Sequence, residues 1–307
     1  VRDEKSFRAV LFILLLAVCA NALHSVRQFL DQENTNFFLV HTDVWQGVEA
    51  LDVPKDALIR VTGYFNNPNV LASYLILVLP VVACFPRYSN TSNWMTSLLV
   101  GISGAALLLT FSRSAVIALL LALGMAVALS RAKPLFAIPF VLLIAITLLN
   151  PWSIDRLVTG VERIAPWSAA VNMIVHHPIF GVGLGNFRAF ALQASVDAWH
   201  AHNLFLHIAA EAGIIASILL MGIFGVAIKW ALDLAREKSW ARPIGLALAV
   251  SFIAFVVASI FDVAYNVDAI SYTFWFLLGL LVAAQRIYAH KPLQLPAEAA
   301  QAPEANS

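Results

Sequence analysis

The residues of this 307-residue chain that can move a proton or hold a phosphate are confined to a few polar interruptions of an apolar sequence. The longest interruption in the second half runs from Pro151 to His202 and feeds the helix start Asn203-Leu-Phe-Leu-His-Ile-Ala-Ala-Glu-Ala-Gly213. It holds His176, His177, His200, His202 and His207, out of eight histidines in all. Imidazole titrates near neutrality, so a histidine at a water boundary is a ready proton acceptor. Arg60, Arg113 and Arg163 each border an apolar run, and guanidinium is a permanently charged planar fork that matches phosphate oxygens. One base with several arginines suits a displacement whose leaving group is a diphosphate, where no metal neutralises the charge. The structural alternatives are a helix entry for Arg60, a side chain reaching for head groups at Arg113, and a purely structural histidine at position 202.

The elements that must position these groups are membrane spans. The chain is 61% hydrophobic and 12% charged, with a mean hydropathy of +0.81, which excludes a soluble domain and predicts a polytopic, all-α transmembrane bundle. Its net charge of +1 and lack of a basic stripe give nucleic acid no footing. Apolar runs cover Ala9 to Leu23, Asn69 to Phe85, Met95 to Phe111, Ser114 to Leu129, Pro134 to Leu149, Leu204 to Trp230, Pro243 to Phe261 and Ala269 to Ala284. Several approach the lower limit of about 17 residues for crossing the hydrocarbon, so flanking Arg, Trp and Tyr are expected to complete them. This reading makes 1–290 a transmembrane domain of about eight helices and 291–307 a disordered cytoplasmic tail rich in Ala, Pro and Glu.

Placing the N-terminus inside puts most of the 19 Lys and Arg residues in the cytoplasm. Arg27, Lys55, Arg60, Arg113, Arg156, Arg163 and Arg188 remain outside. The external loops are then 24–68 and 151–202, with a short one from Asp262 to Asp268 that has no Lys or Arg. Cys19 and Cys84 fall in apolar runs and read as small buried hydrophobes. The opening Val1-Arg-Asp-Glu-Lys5 is read as the start of a fragment whose upstream helices are missing.

In the first external loop, Gly63 and Asn67-Pro68 form turns and Asn69 can cap the next helix. In the second, Trp167, Ala170, Val171, Ile174 and Val175 recur at helical spacing opposite Ser168, Asn172 and His176, which predicts an amphipathic helix lying at the membrane interface with Arg163 before its start. Gly181-Val-Gly-Leu-Gly-Asn186 lacks the strand and the Lys-Ser/Thr of a nucleotide loop and reads as a glycine-dependent turn. His176-His177, His200 and Asp197 have no convincing metal spacing. Asn203, His207 and Glu211, four apart, predict a polar stripe dipping into a continuous sixth span, with His207 and Glu211 either satisfying each other or orienting His202.

These residues resemble the O-antigen ligase and Wzy-type polymerase superfamily of bacterial envelope proteins. The resemblance rests on Arg60-x-Thr-Gly-x-Phe-x-Asn-Pro-Asn69, Ser112-Arg113-Ser114, Arg163-x3-Trp167 leading to Pro178-x2-Gly-x-Gly183, and His202-Asn203 with nine residues before Gly213. It implies a multi-pass protein of the bacterial inner membrane whose site faces the periplasm. It also implies a metal-independent, inverting glycosyltransferase without cofactor. The donor would be an undecaprenyl-diphosphate-linked glycan and the acceptor a glycan or glycolipid. By the same resemblance Arg113 and Arg163, with Arg60, hold the diphosphate and His202 is the base, while Arg188, Asn203, His207 and Glu211 are secondary candidates. The chain has Ala216-Ser217 where the ligase pattern continues with Gly and Thr, which leaves ligase and polymerase both open. A small-anion transporter of bicarbonate type and a non-catalytic assembly scaffold are the alternatives, although no ionisable pair at mid-depth and no internal repeat marks a transport path.

Overall fold

The computed structural model describes residues 3–31, 60–88, 93–129 and 163–288. These contain ten helices and, among the described residues, no β-strand: α1 Glu4–Asp31, α2 Pro68–Ala83, α3 Asn93–Leu109, α4 Arg113–Leu129, α5 Ile164–His176, α6 Phe187–Gln193, α7 Leu204–Ala212, α8 Ile214–Arg236, α9 Arg242–Ser259 and α10 Asp268–Tyr288. By length and composition α1, α8, α9 and α10 can each cross a membrane, and α2, α3 and α4 are shorter apolar helices. The chain is therefore an all-helical, polytopic bundle. The expected span Pro134 to Leu149, most of the loop 24–68, the start of the loop 151–202 and the tail 291–307 lie outside the described residues.

Helix α9 is the axis of the bundle. It is 67% buried along its apolar window, against 22% for α8, and it packs on α2, α4 and α8. Small residues on α9 (Ala247, Ala249, Ser251, Ala254 and Ala258) let these neighbours come close. An aromatic knot ties α8, α9 and α10 together. Phe274 of α10 lies edge-on to Phe224 of α8 at 4.9 Å and against Phe252 of α9 at 5.2 Å, and Tyr265 meets Phe224 at 5.5 Å. Tyr265 belongs to the turn between α9 and α10, so this packing fixes the turn that carries Asp262.

Three expectations are corrected. Helix α1 runs on to Asp31, so residues 24–31, expected in the first external loop, are helical. The cap of α2 is Asn67, whose Oδ1 accepts from the Asn69 amide at 2.8 Å with Pro68 in the first turn, and Asn69 is thereby free to point elsewhere. The third correction concerns the span from Leu204 to Trp230, which is not continuous.

That span breaks at Gly213, where φ is +91°. A Cβ there would collide with the backbone of Ile179. The chain from Pro178 to Gly183 fills the break: the Ile214 amide donates to Pro178 O at 2.9 Å, and the Val182 and Gly183 amides donate to Ala210 O and Glu211 O, each at 2.9 Å. The carbonyls left open at the end of α7 are thus satisfied by the glycine turn. Helix α7 then folds back on α8, because Ser217 Oγ donates to Phe205 O at 2.9 Å. In one straight helix those residues would stand about 18 Å apart.

The glycine turn, α5, α6 and α7 enclose a second, smaller core of Ala169, Ala170, Met173, Phe187, Ala191, Ala198, Ala201 and Ala210. The helix expected after Arg163 exists as α5, but its inward face is Pro166, Ala169, Ala170 and Met173. Val171 and Val175, assigned to the apolar face, are 48% and 68% exposed.

Candidate active site

The site is assembled from a segment that the end of α1 holds in place. Gln28 Oε1 accepts from the Thr62 and Gly63 amides at 3.1 and 2.9 Å, its Nε2 donates to Gly63 O at 3.2 Å, and Asn21 Oδ1 accepts from the Tyr64 amide at 3.3 Å. A buried glutamine so bonded treats an irregular backbone as a neighbouring strand would. Arg60, one residue upstream, donates from Nε to Thr110 O at 2.8 Å and from Nη2 to Asn69 Oδ1 at 2.8 Å. It thus satisfies a carbonyl beyond the end of α3, where a cation also answers the helix dipole.

The chain reverses directly from α3 into α4. Phe111 takes φ +49°, and Thr110 Oγ1 accepts from the Ser112 amide at 3.2 Å. Arg113, half-buried, opens α4 immediately after this turn.

Asp262 is the centre of the arrangement. It is half-buried in the turn after α9, its Oδ1 accepts from the Val263 amide at 2.7 Å, and the Asn69 side chain lies near it. Burial pushes its carboxyl above the usual range, while the Val263 amide, His202, Arg163 and the Asn69 side chain pull the other way. Both His202 and Arg163 are therefore close enough to interact with one carboxylate, although they are far apart in sequence. Arg163 is the residue before α5. His202 has a left-handed backbone, φ +52°, and precedes Asn203, whose Oδ1 caps α7 by accepting from the Leu206 amide at 3.0 Å. This turn sets the His202 ring 4.3 Å from that of His200. Burial, and then the charges of His202 and His207, push the His200 imidazole down to about 4, so it is neutral at ordinary pH.

Residues 98–221 match the family model described as O-Antigen ligase. This stretch is an O-antigen ligase-type domain. The matched stretch of this O-antigen ligase relative runs from α3 through the break at Gly213 into α8 and contains Arg113, Arg163 and His202. Arg60 and Asp262 lie on either side of it. No curated protein matches the chain. The match and the apolar helices together support a multi-pass membrane protein of O-antigen ligase or polymerase type, and the matched family implies lipid-linked glycan substrates.

In this O-antigen ligase relative the secondary candidates lie in the scaffold under the site. Arg188 Nη2 is 3.2 Å from Asp197 Oδ1, and its guanidinium lies 3.8 Å over the Trp199 ring, which fastens the loop leading to His200. Glu211 Oε1 accepts from the Phe187 amide at 3.0 Å and so caps the start of α6. Its other oxygen is 3.7 Å from His207 Nε2, and the His207 ring packs 5.1 Å from Phe187. His207 and Glu211 are buried and serve each other and α6. Asp262 and Asn69 escaped the sequence reading as site residues. The available signal was an acid in a short turn without Lys or Arg, Asp262 to Asp268, at odds with the arginines expected on the same side.

Proposed function

We propose that this protein transfers a glycan from an undecaprenyl-diphosphate carrier to an acceptor sugar hydroxyl on the outer face of the inner membrane, with His202 as general base. The observation that carries the reading is that His202, Arg163 and Asn69, the partner of Arg60, all lie within electrostatic reach of Asp262. His202 takes the acceptor hydroxyl proton, and the freed oxygen bonds to the anomeric carbon as the bond from that carbon to the diphosphate oxygen breaks. A single displacement of this kind inverts the anomeric centre. Arg113 and Arg163 carry the charge that develops on the leaving diphosphate, and Arg60 sets Asn69 and the Thr110 turn that support them. The Asp262 carboxylate orients His202 and stabilises its protonated form, as a carboxylate does beside a catalytic imidazole. All these steps are assigned to side chains, and the reaction is expected to run without a metal.

The test is transfer in membranes containing the protein, supplied with undecaprenyl-diphosphate-linked oligosaccharide in EDTA. His202→Ala is expected to lower turnover by about 10²- to 10⁴-fold, the usual contribution of a general base. Arg163→Ala should cost turnover comparably, and Asp262→Asn should lower kcat at least about tenfold while leaving the KM for the donor nearly unchanged. Normal transfer by His202→Ala at equal expression would remove the base from the scheme. Bicarbonate uptake by a protein that transfers no glycan would replace the enzyme with a transporter.

A further inference from the structure

A groove of about 430 Å³ lies between α5 and α6, on the side of the smaller core, and none of the residues assigned to the transfer step lines it. Its floor is apolar, with Met173 and Ala169 buried, and its rim carries Asn172, His176, His177 and Gln193, with Phe190 on the α6 wall. No Lys, Arg, Asp or Glu lines it. The groove therefore offers nothing to a phosphate or an ammonium group. It does offer two carboxamides, each both donor and acceptor, and two imidazoles. His176 Nδ1 donates to Asn172 O at 2.9 Å, which directs its Nε2 away from α5. The His177 ring stands edge-on to Phe190 at 5.9 Å.

Paired donors and acceptors around an apolar floor match a neutral, hydroxyl-rich ligand with apolar C–H faces, and the volume falls in the range of about 300–1,000 Å³ typical of small-molecule clefts. The position supports this assignment. Helix α5 begins immediately after Arg163, and at 1.5 Å per residue Ala169 and His176 lie roughly 9 and 20 Å along it. A glycan with its reacting sugar at Arg163 and His202 has its later sugars at that range.

We infer that the α5–α6 groove is a subsite for a neutral glycan chain, binding sugars beyond the one that reacts. This inference rests on the transferase reading above. The chain held there belongs either to the donor or to the acceptor, and the two share the same chemistry.

The decisive measurement uses the exposed pair Asn172→Ala/Gln193→Ala, made in the protein in lipid nanodiscs. Ligand-observed saturation-transfer NMR, with oligosaccharide released by mild acid from the host's lipid-diphosphate pool, is expected to show contact in the wild type and loss of most of it in the variant. In the transfer assay the variant should raise KM at least about fivefold for long glycans and leave single-repeat substrates unchanged, with kcat preserved. Varying donor length at fixed acceptor, and then the reverse, assigns the groove to one of them. Equal saturation transfer in wild type and variant, or a KM change independent of chain length, would overturn the subsite even in an active enzyme. Glycan contact that depends on these residues in a protein without transferase activity would keep the subsite and overturn the reaction.

Discussion

His200 shows how one buried side chain ties the site to pH. Its folded value of about 4 lies below the ordinary 6.5, so between these values the unfolded loop binds more protons than the folded one. Stability from this residue is therefore complete above about 6.5 and is lost as pH falls towards 4. The magnitude is at most about 3 kcal/mol, and partial solvent access reduces it. Hydrogen exchange in 195–203, corrected for intrinsic rates, should accelerate between pH 7 and pH 5 in the wild type and respond much less in His200→Gln. An unchanged response in the variant would assign the acid sensitivity elsewhere. Other residues divide into those that face the reaction and those that hold them. Arg60 bonds to Thr110 and Asn69, Arg188 pairs with Asp197, and Glu211 caps α6, so their substitution should act through geometry.

At the scale of elements, the break at Gly213 decides where everything after His202 goes. A straight helix from Leu204 would carry His207 and Glu211 down into the bundle. The reversal instead places α7 across its outer end, with Leu204 in the large core and Ala210 in the small one. Gly213→Ala meets both a positive φ and the Ile179 backbone, whereas a Cβ at Gly222, in the middle of α8, meets nothing within 4 Å. Gly213→Ala is expected to cost about 2 kcal/mol or more and to lower the melting temperature in detergent, together with transfer activity. Gly222→Ala should leave both within error or slightly improve stability. Equal behaviour of the two variants would mean that the glycine turn does not support the fold.

Over the whole molecule, two bodies of unequal size share α7, and the site lies where they meet. Asp262, Asn69 and Arg60 come from the larger bundle, which has seven helices among the described residues, while Arg163 and His202 come from the smaller unit. The smaller unit also carries an exposed apolar edge: Ile179, Phe180 and Leu184 are 57%, 84% and 76% exposed. This edge adjoins Gly213, beyond which the exposed Ile215, Ile218 and Leu219 continue along α8. Continuity with a membrane-crossing face predicts that the edge rests in the lipid interface. Tryptophan at Phe180→Trp, compared with the parent protein, should be quenched in bilayers by lipids brominated near the head group. Quenching by aqueous acrylamide alone would place the edge in water and leave the smaller unit clear of the membrane.

The sequence by itself determined the all-helical membrane class, the turn at Thr110-Phe-Ser-Arg-Ser114, the helix after Arg163 and the residues of the family pattern. Each depends on local composition, on a period of 3.6, or on short-range spacing. It placed the helix after Arg163, while the packing of Pro166, Ala169, Ala170 and Met173 into the smaller core depends on Phe187 and α7, which lie far along the chain. The continuous span from Leu204 to Trp230 was misread for a related reason: the run is apolar throughout, and the break requires carbonyl partners from Pro178 to Gly183, which are supplied from about 30 positions upstream. Asp262 became a site residue only in three dimensions. Its candidacy comes from Asn69, Arg163 and His202 lying within electrostatic reach of it, and no period or spacing along the chain records that positions 69, 163, 202 and 262 come near one another.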